Sequence, residues 1–234
     1  MTSPAPRSVV VSPHLDDAVL SAAGRLLAGD AHVVTVCAGI PPEGASMSSW
    51  DAESEARDAA ARARERLRED DEALAVVGAT TTRLDELGQH YRATPYDVDG
   101  VAGQLVPLLR GVPEVWLPAG IGGHGAHEGT SRAGLAAVKL TRPAAVHMYA
   151  DLPYALSFGW PESRDGLETE LRRLGFDPDE LAWAPRRLDE DEQSRKQRAI
   201  RCYRTQLALL GMSADGRFAN PSADGLELSW RLAL

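Results

Sequence analysis

Residues 9–28 read VVVSPHLDDAVLSAAGRLLA, and this stretch decides the fold class. Its opening β-branched run is typical of a buried strand, residues 12–17 form a polar connection, and the small and apolar residues that follow predict a helix. A second apolar run, residues 32–38, predicts another strand. A strand, a helix and a strand in this order form a βαβ unit, which implies a parallel sheet.

The rest of the chain continues this alternation of strands and helices. Further strands are predicted at residues 80–87, 114–118, 144–149 and 226–232, and helices at residues 51–77, 96–110, 130–140 and 191–210. The Gly-, Pro- and Ser-rich residues 39–50 predict a loop. We therefore expect one α/β domain with a Rossmann-like three-layer fold, in which helices cover both faces of a mostly parallel sheet.

Composition excludes several classes of function. The chain has 34 acidic and 25 basic residues, a net charge of −9 and no basic stripe, so nucleic acid is not expected as a partner. The two cysteines form no CxxC pair, which argues against a thiolate metal site. No apolar run reaches signal-peptide length or the roughly 18 residues of a membrane span, so we predict a cytoplasmic protein without a membrane partner. A homo-oligomer is compatible with this composition.

Two strand-end connections carry the residues with the chemistry of a metal site. His14 and Asp17 lie three residues apart after the first strand, and the Gly-rich residues 119–129 carry His124 and His127 after another. Connections at the carboxyl ends of parallel strands converge on one crevice. A catalytic zinc ion usually takes three His or carboxylate ligands and leaves a fourth position open for water. The pattern predicts a zinc site made of two histidines and one aspartate.

Each half of this site also has a purely structural interpretation. Carboxylates at positions 16 and 17 are favourable at a helix start without any metal. His124 and His127 are equally well explained as polar loop residues. Three of the six histidines nevertheless fall in two strand-end connections, which favours the metal site. The other histidines are expected at the surface or the edge of the core: His32, His90 and His147.

The sequence SPHLDDAVLSAAG at residues 12–24 resembles the PHxDD motif of the LmbE-like, or PIG-L, family of zinc-dependent N-acetylglucosaminyl deacetylases and amidases. Other segments are similar to later family motifs in the expected order: RLRED at residues 66–70, residues 84–92, YADLPY at residues 149–154, Lys196 and YRTQ at residues 203–206. The resemblance spans nearly the whole chain. It implies a single PIG-L deacetylase domain over residues 1–234.

The resemblance also implies roles for individual residues. One Zn²⁺ per chain is expected on His14, Asp17 and His127, with Asp16 as the general base that takes a proton from the attacking water. His124 is expected to polarise the amide carbonyl or to protonate the leaving amine. Further residues are expected to contact the substrate: Arg66, Tyr91, Arg92 and Asp151 from the resemblance, and Trp50 because a loop tryptophan can stack on a sugar.

Two positions depart from the family pattern. Ala18 replaces an acid that often follows the DD pair, and Ala126 replaces the acid of the family's second motif, HPDH. A carboxylate at the second position would orient a neighbouring imidazole. Glu128 is a candidate substitute, although a glutamate there also suits the start of a helix.

Three functions remain open at this point. The first is a zinc-dependent hydrolase that removes an acyl group, expected to be acetyl, from an amino sugar, a glycoside or an antibiotic-pathway molecule. The second is a metal-dependent amidase of a non-sugar conjugate. The third, suggested by Ala126, is a degenerate family member that acts as a binding module.

Overall fold

The computed structural model of the protein describes residues 6–53, 56–207 and 225–233. They form a seven-stranded sheet with helices on both faces, which confirms the predicted α/β class. The strands are β1 (Ser8–Ser12), β2 (Ala31–Thr35), β3 (Thr80–Arg83), β4 (Glu114–Pro118), β5 (Ala145–Tyr149), β6 (Ala182–Arg187) and β7 (Leu226–Arg231). The helices are α1 (Asp17–Leu27), α2 (Ser49–Glu53), α3 (Ala59–Val77), α4 (Val98–Leu109), α5 (Gly125–Thr141), α6 (Tyr154–Ser157), α7 (Asp165–Arg173) and α8 (Glu190–Ile200).

The order of the strands brings the two histidine-bearing segments together. Across the sheet the order is β3-β2-β1-β4-β5-β7-β6. The first five strands in this order pair in parallel, whereas β7 pairs antiparallel with β5 and with β6. The chain moves outward from β1 to β3 and then returns to place β4 on the other side of β1. This reversal is a topological switch point, where ligands bind in open α/β sheets.

The centre of the sheet is the hydrophobic core. Every residue of β1 is buried, as a strand covered by helices on both faces requires. The hydroxyl of Tyr149, on β5, donates a hydrogen bond to the carbonyl of Val11 over 2.8 Å. Among the described residues, no helix combines the length and the apolar character needed to cross a bilayer.

Several element boundaries differ from the sequence prediction. Residues 51–77 form two helices instead of one, because Asp58 is extended and its side chain caps α3 by accepting a hydrogen bond from the amide of Ala61. The helix predicted at residues 191–210 is interrupted: α8 ends at Ile200, residues 204–207 are helical again, and residues 208–210 lie outside the described part of the chain. Strand β6 was not predicted, because it is a largely exposed edge strand that lacks a buried apolar alternation.

Candidate metal centre

The connection after β1 is held in one shape by its own side chains. The Ser12 hydroxyl donates to the carbonyl of His14 over 2.6 Å and accepts from the amide of Ala18 over 3.0 Å. The side chain of Asp16 makes no capping hydrogen bond to helix α1. Asp17 accepts instead from the amide of His14, over 2.8 Å. Helix capping therefore does not explain the aspartate pair.

The second segment is helical where a loop was predicted. Helix α5 begins at Gly125, five residues before the predicted start, so His124 is its N-cap residue and His127 lies in its first turn. The preceding turn contains Gly120, Gly122 and Gly123 at φ values of 86°, 103° and 69°, which side chains other than glycine rarely adopt. The ring centroids of His124 and His127 lie 5.2 Å apart, so the N-cap residue and the first turn of α5 bring both imidazoles to one side.

The structure brings the predicted metal-site residues together. The Oδ2 atom of Asp17 lies 3.2 Å from Nδ1 of His14 and 3.3 Å from Nε2 of His127. One ring nitrogen of each of His14, His124 and His127 also lies within 4.8 Å of the others. Two overlapping sets of possible metal ligands are thus present. One is His14, His127 and Asp17, and the other is His14, His127 and His124.

Asp151 contacts the Nδ1 side of the His127 ring, whereas Asp17 lies at the Nε2 side. Its Oδ1 atom lies 2.7 Å from Nδ1 of His127, and its Oδ2 atom accepts from the amides of Gly120 and Ile121 over 2.8 and 3.0 Å. The side chain is fully buried, and both oxygens are used within the protein. This placement corrects the predicted contact with substrate: Asp151 positions a histidine and the turn before it.

Burial and charge separate the pKa values of the two neighbouring aspartates. Burial, reinforced by the charge of Asp17, raises the pKa of Asp16 to about 7. Burial alone would also raise the pKa of Asp17, but His127 and His14 outweigh it and lower that pKa to about 2. At neutral pH, Asp17 is therefore an anion, whereas Asp16 can both accept and release a proton.

The pKa values of His124 and His127 are also separated by burial and charge. Burial, with the charges of His14 and His127, lowers the pKa of His124 to about 3, so its ring is neutral. Burial opposes a charge on His127, but Asp17 and Asp151 raise its pKa to about 9. Within the described part of the chain, the Nδ1 atom of His124 is buried without a hydrogen-bond partner.

A cavity of about 420 Å³ opens above these residues. Its wall includes the predicted metal-site residues, Asp16, and two of the predicted substrate residues, Arg66 and Tyr91. Arg92 is not part of the wall; its guanidinium lies over the ring of Tyr96, 4.7 Å from the centroid. The substrate role of Arg92 therefore stays a prediction from the sequence. Trp50 belongs to α2, but its side chain lies outside the described part of the structure.

Asp51 joins three segments of the cavity wall. Its Oδ1 atom lies 2.7 Å from Nη2 of Arg66, and its Oδ2 atom accepts a hydrogen bond from the hydroxyl of Tyr91. That hydroxyl also accepts from the amide of Ser48 over 3.2 Å. Arg66 therefore faces both the cavity and a buried carboxylate.

Sequence reasoning missed three residues of the cavity. Asp51 had no local signal, because its partners lie far along the chain. His90 was expected at the surface or the edge of the core, yet it lines the cavity. It lies in the segment that follows β3, and ligands bind at the carboxyl ends of strands in open α/β sheets, so its position could have indicated the site. Tyr154 lies in the YADLPY segment, and its ring centroid is 4.9 Å from that of His127.

Glu128 does not take the place of the missing acid. Its carboxylate contacts Arg132 over 2.9 Å and Arg173 over 2.7 Å, and it does not line the cavity. Ala126 is fully buried in the core. The structure thus favours the helix-start interpretation of Glu128, and His124 keeps no carboxylate partner from its own helix.

Residues 9–138 match the model of a protein family described as GlcNAc-PI de-N-acetylase, PIG-L. No protein of curated function matches the sequence.

Solved structures resemble the whole chain. The A40926 pseudoaglycone deacetylase Dbv21 is 27% identical with a TM-score of 0.74, over 97% of each chain. The zinc-inhibited form of teicoplanin deacetylase Orf2 is 22% identical with a TM-score of 0.77, over 96% of this chain and 97% of that one. The 4-carboxy-2-hydroxymuconate hydratase GalB of Pseudomonas putida shares the fold at 17% identity and a TM-score of 0.52, over 96% and 94%. The fold alone therefore does not fix the reaction.

Proposed function

Because this chain belongs to the PIG-L family, we propose that it is a zinc-dependent hydrolase that removes an acetyl group from the nitrogen of an amino sugar or of a small molecule that carries one. The observation that carries the proposal is the meeting of His14, Asp17 and His127 beside Asp16 at one cavity. The deacetylase names of the similar structures support the reaction class. We extend the proposal to one catalytic domain over the whole chain.

The donor chemistry fits zinc, which proteins bind through imidazole nitrogen and carboxylate oxygen. We propose that His14, Asp17 and His127 hold one ion per chain. The alternative set replaces Asp17 by His124, whose buried and unpartnered Nδ1 atom is available. Zinc content after Asp17→Ala and after His124→Ala decides between the two sets. A zinc ion bound there lowers the pKa of a bound water toward neutrality and polarises the substrate carbonyl.

The side chains of the site supply the remaining steps. Asp16, buried at the cavity floor beside Asp17, accepts a proton from water as the water oxygen attacks the amide carbon. Neutral His124 donates a hydrogen bond to the carbonyl oxygen as negative charge develops on it. The C–N bond then breaks as the proton held by Asp16 passes to the leaving nitrogen, which gives an amine and a carboxylic acid. The acid releases its proton to solvent and leaves as a carboxylate. Arg66 and Tyr91 contact polar groups of the substrate.

The proposal is tested by metal analysis together with an acetate-release assay on N-acetyl amino sugars and their glycosides. We expect about one zinc per chain and acetate release that Asp16→Asn abolishes without loss of zinc. Zinc binding without release from any sugar amide, but with cleavage of non-sugar amides, would instead assign the amidase function. If the chain does not bind metal and does not hydrolyse amides, the result favours the degenerate binding module.

A further inference from the structure

A buried tyrosine joins the late part of the chain to the connection after β1. The hydroxyl of Tyr203 donates to the carbonyl of Leu15 over 3.1 Å, and the tyrosine side chain is fully buried. Leu15 lies between His14, a proposed zinc ligand, and Asp16, the proposed general base. Within the described part of the chain, no backbone amide donates to the carbonyl of Leu15. The peptide group that joins Leu15 to Asp16 therefore depends on Tyr203 for this hydrogen bond.

The carbonyls on either side are held by the connection and its helix. The carbonyl of His14 accepts from the Ser12 hydroxyl over 2.6 Å, and that of Asp16 accepts from a backbone amide of α1 over 2.9 Å. These partners are near in sequence, whereas Tyr203 is 188 residues from Leu15. The peptide group between the proposed ligand and the proposed base is thus fixed to a separate part of the fold.

A carboxylate and an arginine fix the position of Tyr203. Its hydroxyl lies 3.0 Å from Oδ1 of Asp70, and Oδ2 of Asp70 accepts from Nε and Nη2 of Arg83 over 3.1 and 2.6 Å. The hydroxyl has one proton, and its nearly equal distances to Asp70 and Leu15 indicate a three-centre hydrogen bond. Asp70 is fully buried, and Arg83 lies on β3. The connection after β1 is therefore tied through Tyr203 to a second strand of the sheet.

We propose that Tyr203 is a positioning residue that orients the peptide group before Asp16 and thereby directs the Asp16 carboxylate toward the attacking water. This inference rests on the proposed function and adds a residue to its mechanism. No side chain of the described residues donates a hydrogen bond to the Asp16 carboxylate, so its direction depends on the backbone that carries it. Tyr203 does not line the cavity, so it acts through Asp16 and not on the substrate. A misplaced general base slows proton transfer without changing the contacts that bind the substrate.

The test compares Tyr203→Phe with Tyr149→Phe. Both variants delete the hydroxyl of a fully buried tyrosine that donates to a carbonyl, but Tyr149 contacts Val11 within β1, before the connection. In the acetate-release assay, we expect Tyr203→Phe to lower kcat about tenfold at unchanged KM and zinc content, whereas Tyr149→Phe keeps both constants. A factor of about ten corresponds to about 1.4 kcal/mol, the upper end of the net contribution of one hydrogen bond.

Amide hydrogen exchange tests the position of the connection without any activity. The amides of His14 and Ala18 donate to side chains of the connection over 2.8 and 3.0 Å, so their exchange rates report its order. We expect both amides to exchange about tenfold faster in Tyr203→Phe than in Tyr149→Phe. The free energy of unfolding of each variant, measured by urea denaturation, corrects these rates for any difference in global stability.

A second variant keeps the test decisive if Tyr203→Phe does not fold. Arg83→Lys loses the contact that two guanidinium nitrogens make with Asp70, and so loosens the anchor of Tyr203. The arginine side chain is partly exposed, which favours a folded variant. We expect Arg83→Lys to lower kcat and to speed exchange in the same direction, each about threefold.

Equal kcat or equal exchange in Tyr203→Phe and Tyr149→Phe would overturn the inference while leaving the deacetylase proposal standing. A rise in KM without loss of kcat would also contradict it, because Tyr203 would then act in substrate binding. If the wild type releases no acetate, the proposed function fails, and exchange alone decides whether Tyr203 holds the connection.

Discussion

Replacing Asp151 by asparagine should weaken zinc binding without removing any proposed ligand. The Oδ2 atom of Asp151 accepts from two backbone amides, so an asparagine must place its oxygen there and turn its NH₂ group toward His127. That group donates to Nδ1 of His127, and the ring proton is then carried by Nε2, the nitrogen nearest Asp17. An Nε2 atom that carries a proton offers no lone pair to a metal.

The size of the effect follows from the contact that is lost. The hydrogen bond between His127 and Asp151 spans 2.7 Å in a fully buried setting. Loss of such an outer partner typically costs about 10- to 100-fold in metal affinity, which corresponds to about 1.4 to 2.7 kcal/mol. The asparagine keeps the amide contacts of Gly120 and Ile121, so Asp151→Asn should retain the fold.

The measurement is a competition for zinc between the protein and a chelating indicator at neutral pH. Glu170→Gln is the matched control, because Glu170 also holds the glycine-rich turn, through the amide of Gly122 over 3.2 Å, but contacts no histidine. Equal zinc affinity of the wild type and Asp151→Asn would refute the orienting role. An equal loss in both variants would show that the turn, and not the imidazole, is responsible.

Three further predictions concern other buried carboxylates. Asp16→Asn should reduce acetate release at least about 100-fold with zinc retained, and unchanged kinetics would remove Asp16 from the mechanism. Asp51→Asn should raise KM more than it lowers kcat, because Arg66 loses the carboxylate that positions it in the cavity wall; a pure kcat effect would contradict this role. Burial raises the pKa of Asp70 from 3.8 to about 6, so its contribution to stability is present below about pH 4 and is lost as the pH rises through 6. The unfolding free energy of the wild type, measured by urea denaturation relative to Asp70→Asn, should therefore fall by up to about 3 kcal/mol across this range, and a constant difference would be inconsistent with the shift.

The convergence of the two metal-site segments could be predicted because each directly follows a parallel strand. Strands β1 and β4 are neighbours at the switch point, so the rule that connects strand ends to ligand sites was sufficient. The same rule would have identified His90, which follows β3.

The cavity wall could not be predicted in this way. Asp51 meets Arg66 and Tyr91 through contacts that join distant parts of the chain, and no local pattern encodes them. The segment containing Asp151 suggested a functional residue, but only three-dimensional packing shows that its carboxylate faces His127 and two backbone amides. The predicted start of α5 is late because Gly125 and Gly129, which belong to the helix, continue a glycine-rich pattern that is typical of a loop.

The position of β1 beside β4 also has an evolutionary consequence. All residues proposed to bind zinc come from the two segments that follow these strands, whereas residues 36–53 and 85–92, which shape the mouth of the cavity, belong to chain that leaves the centre of the sheet and returns. Mutations in those excursions can reshape the entrance while the hydrolytic floor stays unaltered. A new substrate specificity can therefore arise when these peripheral loops change and the residues at the cavity floor are kept.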